Sequence, residues 1–135
     1  MISTLALQHV KFLPKELSPG ILYVSIENGV AGHLCACGCG SKVITPLGPT
    51  EWALTERSGR PTLRPSIGNW QQPCRSHYLI TDGRIVWAGQ WSDAAILAGR
   101  KAEQVRREAY YAAREPGFWR SIWNFVRDVF NRFRQ

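Results

Sequence analysis

The sequence lacks the segments that send a chain through a membrane. Its first residues, Met1-Ile2-Ser3-Thr4-Leu5-Ala6-Leu7, have no basic start and no continuous apolar stretch, so no secretory signal is expected. Nowhere do about 18 apolar residues follow one another, so no membrane-spanning helix is expected either. Internal repeats and low-complexity segments are missing too. Histidine is scarce: only His9, His33 and His77 can supply an imidazole. These absences imply a cytoplasmic protein with reduced thiols, where clustered cysteines serve metals or catalysis more often than disulfides.

What is present suits one compact unit. The chain has 135 residues, 44% of them hydrophobic, with 6 Trp, which is ordinary for a globular core and excludes a disordered chain. A β domain of this size is marginally stable, and small domains often need a metal or a disulfide. The formal charge of +7 is spread over both halves. Such an excess fits a nucleic acid, an anionic membrane surface or an ordinary solvated surface. A modest excess present in both halves favours the last.

Composition divides the chain in two. Residues 1–91 hold all the cysteines and most of the Gly and Pro. Their apolar runs are short: Ile21-Leu22-Tyr23-Val24-Ser25-Ile26, Val43-Ile44-Thr45 and Tyr78-Leu79-Ile80. Turn residues bound each run, which is the pattern of about five to seven short strands. His9 falls in an expected first strand. Asp82-Gly83, between Tyr78–Thr81 and Arg84–Trp87, is the strongest hairpin signal.

Residues 92–135 read as helical. Ser92-Asp93 resembles an N-cap, and Pro116-Gly117 separates two helices. Ala95, Ala98, Ala102, Val105, Ala109 and Ala112 form one stripe; Trp119, Ile122, Val126, Val129 and Phe133 form another. Small residues facing large ones suggest an antiparallel helical hairpin. The expected fold is therefore a small, mostly β domain over 1–91. A helical tail over 92–135 follows, packed on that domain or mediating association, and the whole is α+β. Phe118, Trp123, Phe125 and Phe130 beside Arg120, Arg127, Arg132 and Arg134 offer a second role for the tail, a peripheral membrane contact through the last helix.

The densest chemistry is His33-Leu34-Cys35-Ala36-Cys37-Gly38-Cys39-Gly40, with Cys74-Arg75-Ser76-His77 later. Thiolates suit zinc in a closed tetrahedral site. Gly38 and Gly40 let the backbone wrap so that sulfurs converge. Cys74 closes a long loop onto them, which is entropically worth more than a local clip. Cysteines two apart make strained disulfides, and three clustered thiols have no packing reason to be together. Cys35, Cys37, Cys39 and Cys74 are thus the expected ligands of one structural zinc, with His33 or His77 as replacements for one sulfur, since Cys74-x-x-His77 is itself a ligand-like spacing.

Leu17-Ser18-Pro19-Gly20-Ile21-Leu22-Tyr23-Val24, the His33–Gly40 cluster, Leu63-Arg64-Pro65-Ser66-Ile67-Gly68, Cys74–Ile80 and Gly83-Arg84-Ile85-Val86-Trp87 occur in order. Together they resemble a family of small bacterial proteins found in Bub-type ubiquitin-like conjugation operons linked to phage defence. The resemblance covers about residues 10–90 and leaves out the helical tail. It implies a zinc-containing serine peptidase acting as a deubiquitinase. Its substrate is then a bacterial ubiquitin-like protein, and conjugation enzymes of the same operon are its further partners. The family usually has Pro where this chain has Ala36, which should soften the metal loop without removing a ligand. The resemblance also points to Pro65-Ser66-Ile67 and Ser76-His77 as chemically important.

Read on their own terms, these serines are not equivalent. A serine attacks a carbonyl only if a nearby base, usually histidine, takes its proton. Ser66 precedes Ile67-Gly68 in an expected exposed turn, where glycine frees backbone N–H groups for an oxyanion. Ser76 adjoins His77, but neighbours on a strand point to opposite faces. Ser66 with His77 is therefore the favoured pair; an ordinary turn serine and a zinc-bound histidine are the alternatives. Among orienting groups, Asp82 is explained by its turn, while Asn69 and Glu51 stay open. Trp52, Trp70, Trp87 and Trp91 read as core or rim packing, with Trp70 a candidate groove wall. Arg64 and Arg75 read as solvated charge.

Two other functions compete. A non-enzymatic zinc module would bind protein or nucleic acid, although basic residues of the β half do not interleave with aromatics as nucleic-acid motifs do, so no nucleic acid is expected. A zinc hydrolase needs an open metal position, which four thiolates deny.

Overall fold

Short runs of β-branched and aromatic residues, broken by glycine, proline and asparagine, set the strands. The computed structural model describes residues 1–114 and 116–134. It contains β1 (Ala6–His9), β2 (Ile21–Ser25), β3 (Val30–Leu34), β4 (Lys42–Pro46), β5 (Ala53–Arg57), β6 (Arg60–Gly68), β7 (His77–Thr81) and β8 (Arg84–Trp87). Eight strands exceed the five to seven expected. The difference lies in elements such as β5, whose Thr55-Glu56-Arg57 is exposed and polar. Charged edge strands carry no hydrophobic signature because one side faces water.

The strands form two four-stranded sheets, β1-β2-β3-β4 and β5-β6-β7-β8. β1 runs parallel to β2, and all other pairs are antiparallel. Alternation sets the faces: in β4 Val43 and Thr45 are buried while Ile44 is 50% exposed. Leu22, Val24 and Ala31 from the first sheet join Leu63, Ile67, Tyr78 and Ile80 from the second in one core cluster. The N-terminal segment stitches the sheets together. Leu5 N donates to Gly83 O at 2.8 Å and Ile85 N to Ser3 O at 2.9 Å, while Ala6 N reaches Gly20 O at 2.9 Å.

Two local features prepare the site. Asp82 and Gly83 both have positive φ (53° and 77°), the conformation of a two-residue type I′ hairpin turn, and they join β7 to β8 as the sequence suggests. Between β6 and β7 the register shifts: Leu63 pairs Ile80, but Ile67 pairs Tyr78. Three residues, Arg64 to Ser66, therefore face Leu79 alone. Pro65 has no N–H to give to a ladder, so a bulge here is chemically apt. Ser66 thus lies on a strand bulge rather than in the expected turn.

The chain divides into compact units Met1–Ser92 and Asp93–Gln135. The second holds α1 (Asp93–Arg114) and α2 (Pro116–Phe133). An acid in the first turn of α1 and arginines in the last turns of both helices complement the helix dipoles. The two stripes do not cover one another: Val105 is 59% exposed and Val126 50%, and Ala95, Ala98, Ala102, Ala109 and Ala112 are all exposed. An alanine stripe offers little apolar area to bury per turn. The side chains of Phe118 and Trp119 lie outside the described residues. No described helix is long and apolar enough to cross a membrane.

The core assignment makes a direct prediction. Leu22 is 0% exposed and Ile44 50%. Leu22→Ala should lower unfolding free energy by about 2–5 kcal/mol, and Ile44→Ala by about 1 kcal/mol or less, in urea titrations of the metal-loaded protein.

Candidate active site and thiol cluster

The loop after β3 reverses direction on left-handed glycines, Gly38 at φ 89° and Gly40 at φ 81°. L-residues with a Cβ avoid that region. The turn closes with Gly38 N to Cys35 O at 3.1 Å and Cys35 N to Ser41 O at 2.9 Å. It gathers Cys35, Cys37 and Cys39, and the segment before β7 brings Cys74 to them. The four sulfurs lie within 4.8 Å of one another, and the cysteines form no disulfide. Cys35 Sγ is 3.5 Å from Cys37 Sγ and 3.8 Å from Cys74 Sγ, and Cys39 Sγ is 3.8 Å from Cys74 Sγ. A tetrahedron with metal–sulfur bonds of about 2.3 Å has edges of about 3.8 Å. The spacing therefore fits a metal held by four thiolates.

The surroundings suit that charge. Asn69 Nδ2 donates to Cys35 Sγ at 3.3 Å, and the Tyr78 hydroxyl also hydrogen-bonds the Cys35 side chain. Such partners fix ligand orientation. Hydrogen bonds from the Ser41 side chain and backbone draw the Cys39 thiol down to about 6. Burial pushes the Cys37 thiol up to about 11, against the Ser76 hydroxyl that hydrogen-bonds it. A bound cation would supply the positive charge that Cys37 needs to ionise.

Neither histidine belongs to the thiol cluster. His33 is fully buried, its Nε2 2.7 Å from Tyr78 Oη, and burial lowers its pKa to about 4. His77 is 6% exposed. Its Nε2 is 2.8 Å from Ser66 Oγ and its Nδ1 2.7 Å from the Gly89 carbonyl oxygen. A carbonyl only accepts, so Nδ1 carries the proton and Nε2 of the neutral ring is a lone pair. Ser66 must then donate its hydroxyl proton to Nε2. That is the ground-state arrangement of a serine nucleophile beside its base.

Aromatic rings flank the His77 imidazole. Trp70 and Trp91 have centroids 4.9 and 5.1 Å from that of His77, and they stack on each other at 5.9 Å. Arg75 lies over Trp70 at 5.7 Å, so it is not merely solvated charge. Arg64 also folds back, donating to Leu63 O, Ile80 O and Thr81 Oγ1. Gly68 makes room for the indole: a Cβ there would stand 2.5 Å from Trp70 Nε1.

The residues singled out from sequence fall into two groups. Cys35, Cys37, Cys39 and Cys74 converge, and Ser66 meets His77 across the β6–β7 pairing. Ser76 is turned to Cys37 instead, and His9 pairs with Glu56 at 3.0 Å on the surface. Asn69 serves a thiol rather than a histidine. The group that orients His77 is the Gly89 backbone, which sequence reading missed. Its only signal was position: residue 88 follows a strand antiparallel to β7, so the chain there returns past His77, with Ala88 N on His77 O at 2.9 Å.

A family model described as "Bacterial ubiquitination-like system serine protease (BubE)" matches residues 9–88. That span holds all four cysteines, Ser66 and His77, and ends before the helices. No curated protein and no solved structure matches the chain.

Two glycines should respond oppositely to a methyl group. Gly68→Ala must displace Trp70, whereas nothing lies within 4 Å of a Cβ at Gly89, and its contribution is a main-chain carbonyl. In NMR spectra the His77 ring resonances, shifted by the flanking indoles, should move in Gly68→Ala and stay in place in Gly89→Ala.

Proposed function

The chain belongs to the family of bacterial ubiquitination-like system serine proteases, and from this premise we propose that it hydrolyses the bond following the C-terminus of a ubiquitin-like protein. Ser66 is the nucleophile, His77 the general base and the Gly89 carbonyl the group that holds the base. The observation that carries this reading is the pair of hydrogen bonds on His77, 2.8 Å to Ser66 Oγ and 2.7 Å to Gly89 O. They fix both the position and the tautomer of the base before substrate arrives.

Ser66 Oγ attacks the carbonyl carbon while its proton passes to His77 Nε2. Collapse of the tetrahedral intermediate expels the amine, which leaves with that proton, and the acyl group stays on Ser66 as an ester. Water then attacks the ester with His77 again taking a proton, and the carboxylate is released with Ser66 restored. The imidazolium formed midway sits beside the Gly89 carbonyl dipole and two indole rings, both of which favour a cation. Burial of His77 keeps competing water from these hydrogen bonds. The C-terminal tail of a ubiquitin-like protein is extended and narrow, which suits a site flanked by Trp70 and Trp91. The proposed partners are the ubiquitin-like protein and the conjugation enzymes whose product it reverses, in the cytoplasm.

Cys35, Cys37, Cys39 and Cys74 would hold zinc, and because four thiolates would leave it no open position, it would stabilise the fold and stand apart from the bond cleaved. Cys74 lies three residues before His77, so the clip also anchors the catalytic segment.

Ser66→Ala and His77→Ala should each lower cleavage of a matched ubiquitin-like fusion at least about 1,000-fold with zinc content unchanged, because the pair acts as a unit. Ser76→Ala should cost much less. A fluorophosphonate probe should label Ser66, and labelling should vanish in His77→Ala. Near-complete cleavage by Ser66→Ala would falsify the assignment; parallel loss of zinc and activity in His77→Ala would make that residue a ligand.

Purified protein should carry about one equivalent of zinc per chain. Cys74→Ser should lose it and unfold or precipitate the β unit, followed by circular dichroism, since structural zinc contributes its binding energy to folding. Less than about half an equivalent in well-folded protein speaks against a structural site.

A further inference from the structure

Helix α2 carries a feature that the peptidase reading does not use. At about 100° per residue, its residues from 120 onward segregate into two arcs. Phe125, Val129, Ile122, Phe133, Val126, Phe130 and Trp123 follow one another around one arc of about 160°. All are more than a third exposed, from 37% for Val129 to 87% for Phe133. Ser121, Asn124, Asp128, Asn131 and the arginines fill the opposite arc.

The charges are placed as deliberately as the apolar side chains. Arg132 lies at one border of the apolar arc, next to Phe125. Arg134, Arg127 and Arg120 lie at the other, next to Trp123. The one acid of this arc, Asp128, lies near the side farthest from the apolar centre. Long cationic side chains at both borders reach lipid phosphates while their stems stay on the apolar surface. Indole rings prefer the same depth. Cations at both borders with the acid held away complement a surface of negative charge.

We propose that α2 binds an anionic membrane surface, lying in the interface with Trp123, Phe130 and Phe133 buried among the acyl chains and Arg127 and Arg132 on headgroup phosphates. The occupant is a lipid surface of net negative charge. A helix of 18 residues with this polar arc lies on a bilayer and does not span it. This proposal is independent of the chemistry at Ser66.

The test uses the full chain and vesicle flotation. The protein should float with vesicles of phosphatidylglycerol and phosphatidylcholine and stay behind with phosphatidylcholine alone, and salt should weaken the binding. Trp123→Glu with Phe130→Glu should abolish flotation. Both side chains are exposed (69% and 63%), so helix content by circular dichroism should persist. Arg127→Gln with Arg132→Gln should weaken binding about 30-fold, at roughly 1 kcal/mol per arginine. The proposal is overturned if the wild-type chain does not float, if the double Glu variant floats equally well, or if neutral vesicles bind as tightly as anionic ones. It is also overturned if the chain associates with itself through this face, seen as a concentration-dependent dimer that the double Glu variant abolishes, in place of flotation.

Discussion

Four thiol sulfurs within 4.8 Å of one another tie the two sheets at one point, and the candidate active site is built outward from it. Cys35 leaves the last residue of β3 in the first sheet. Cys74 lies three residues before β7 of the second sheet, after an excursion of more than thirty residues, a loop whose closure is entropically expensive without a fixed end. Everything downstream inherits that fixed end. His77 opens β7, Tyr78 turns its hydroxyl to Cys35, and Ser76 turns its own to Cys37. A segment with three successive side chains committed, two to the thiols and one to Ser66, has little freedom left.

The opposing strand supplies the complement. β6 is central in its sheet, so an uninterrupted ladder would spend its backbone on β5 and β7. The shift between Leu63 and Ile67 releases Arg64 to Ser66 from regular pairing with β7, and Ser66 meets His77 there. Strand bulges commonly redirect one side chain in this way while the flanking residues stay packed, and here Leu63 and Ile67 on either side are 0% and 2% exposed. The Ser66 hydroxyl is thus carried on a rigid element, between two core residues.

Much of this was legible in the sequence because the relevant signals are short. Asp82-Gly83 specifies its hairpin through two residues that tolerate positive φ. Alternating cysteines with interposed glycines specify a thiol nest. The opposite faces of neighbouring strand residues separate Ser76 from His77. What was not legible depends on pairing across the fold. The bulge at Ser66 exists only relative to β7, and Pro65 in sequence looks like a turn. Edge strand β5 has no apolar pattern because water covers it. The Gly89 carbonyl belongs to no side chain, so composition carries no trace of it. In the tail, periodicity located both helices but not what covers their stripes, since exposure is a property of neighbours.

The N-terminal stitch has a consequence in time. Leu5 hydrogen-bonds to Gly83, and Ser3 to Ile85, so the segment leading into β1 cannot complete its contacts until the chain is nearly through the second sheet. At synthesis rates of about 5–20 residues per second, that wait is about 4–16 s. During it β1 has only β2 to pair with, through the parallel ladder of Ala6 to His9. The two sheets therefore close around their common core late, and residues 3–5, which precede both sheets in the chain, are among the last of this unit to be secured.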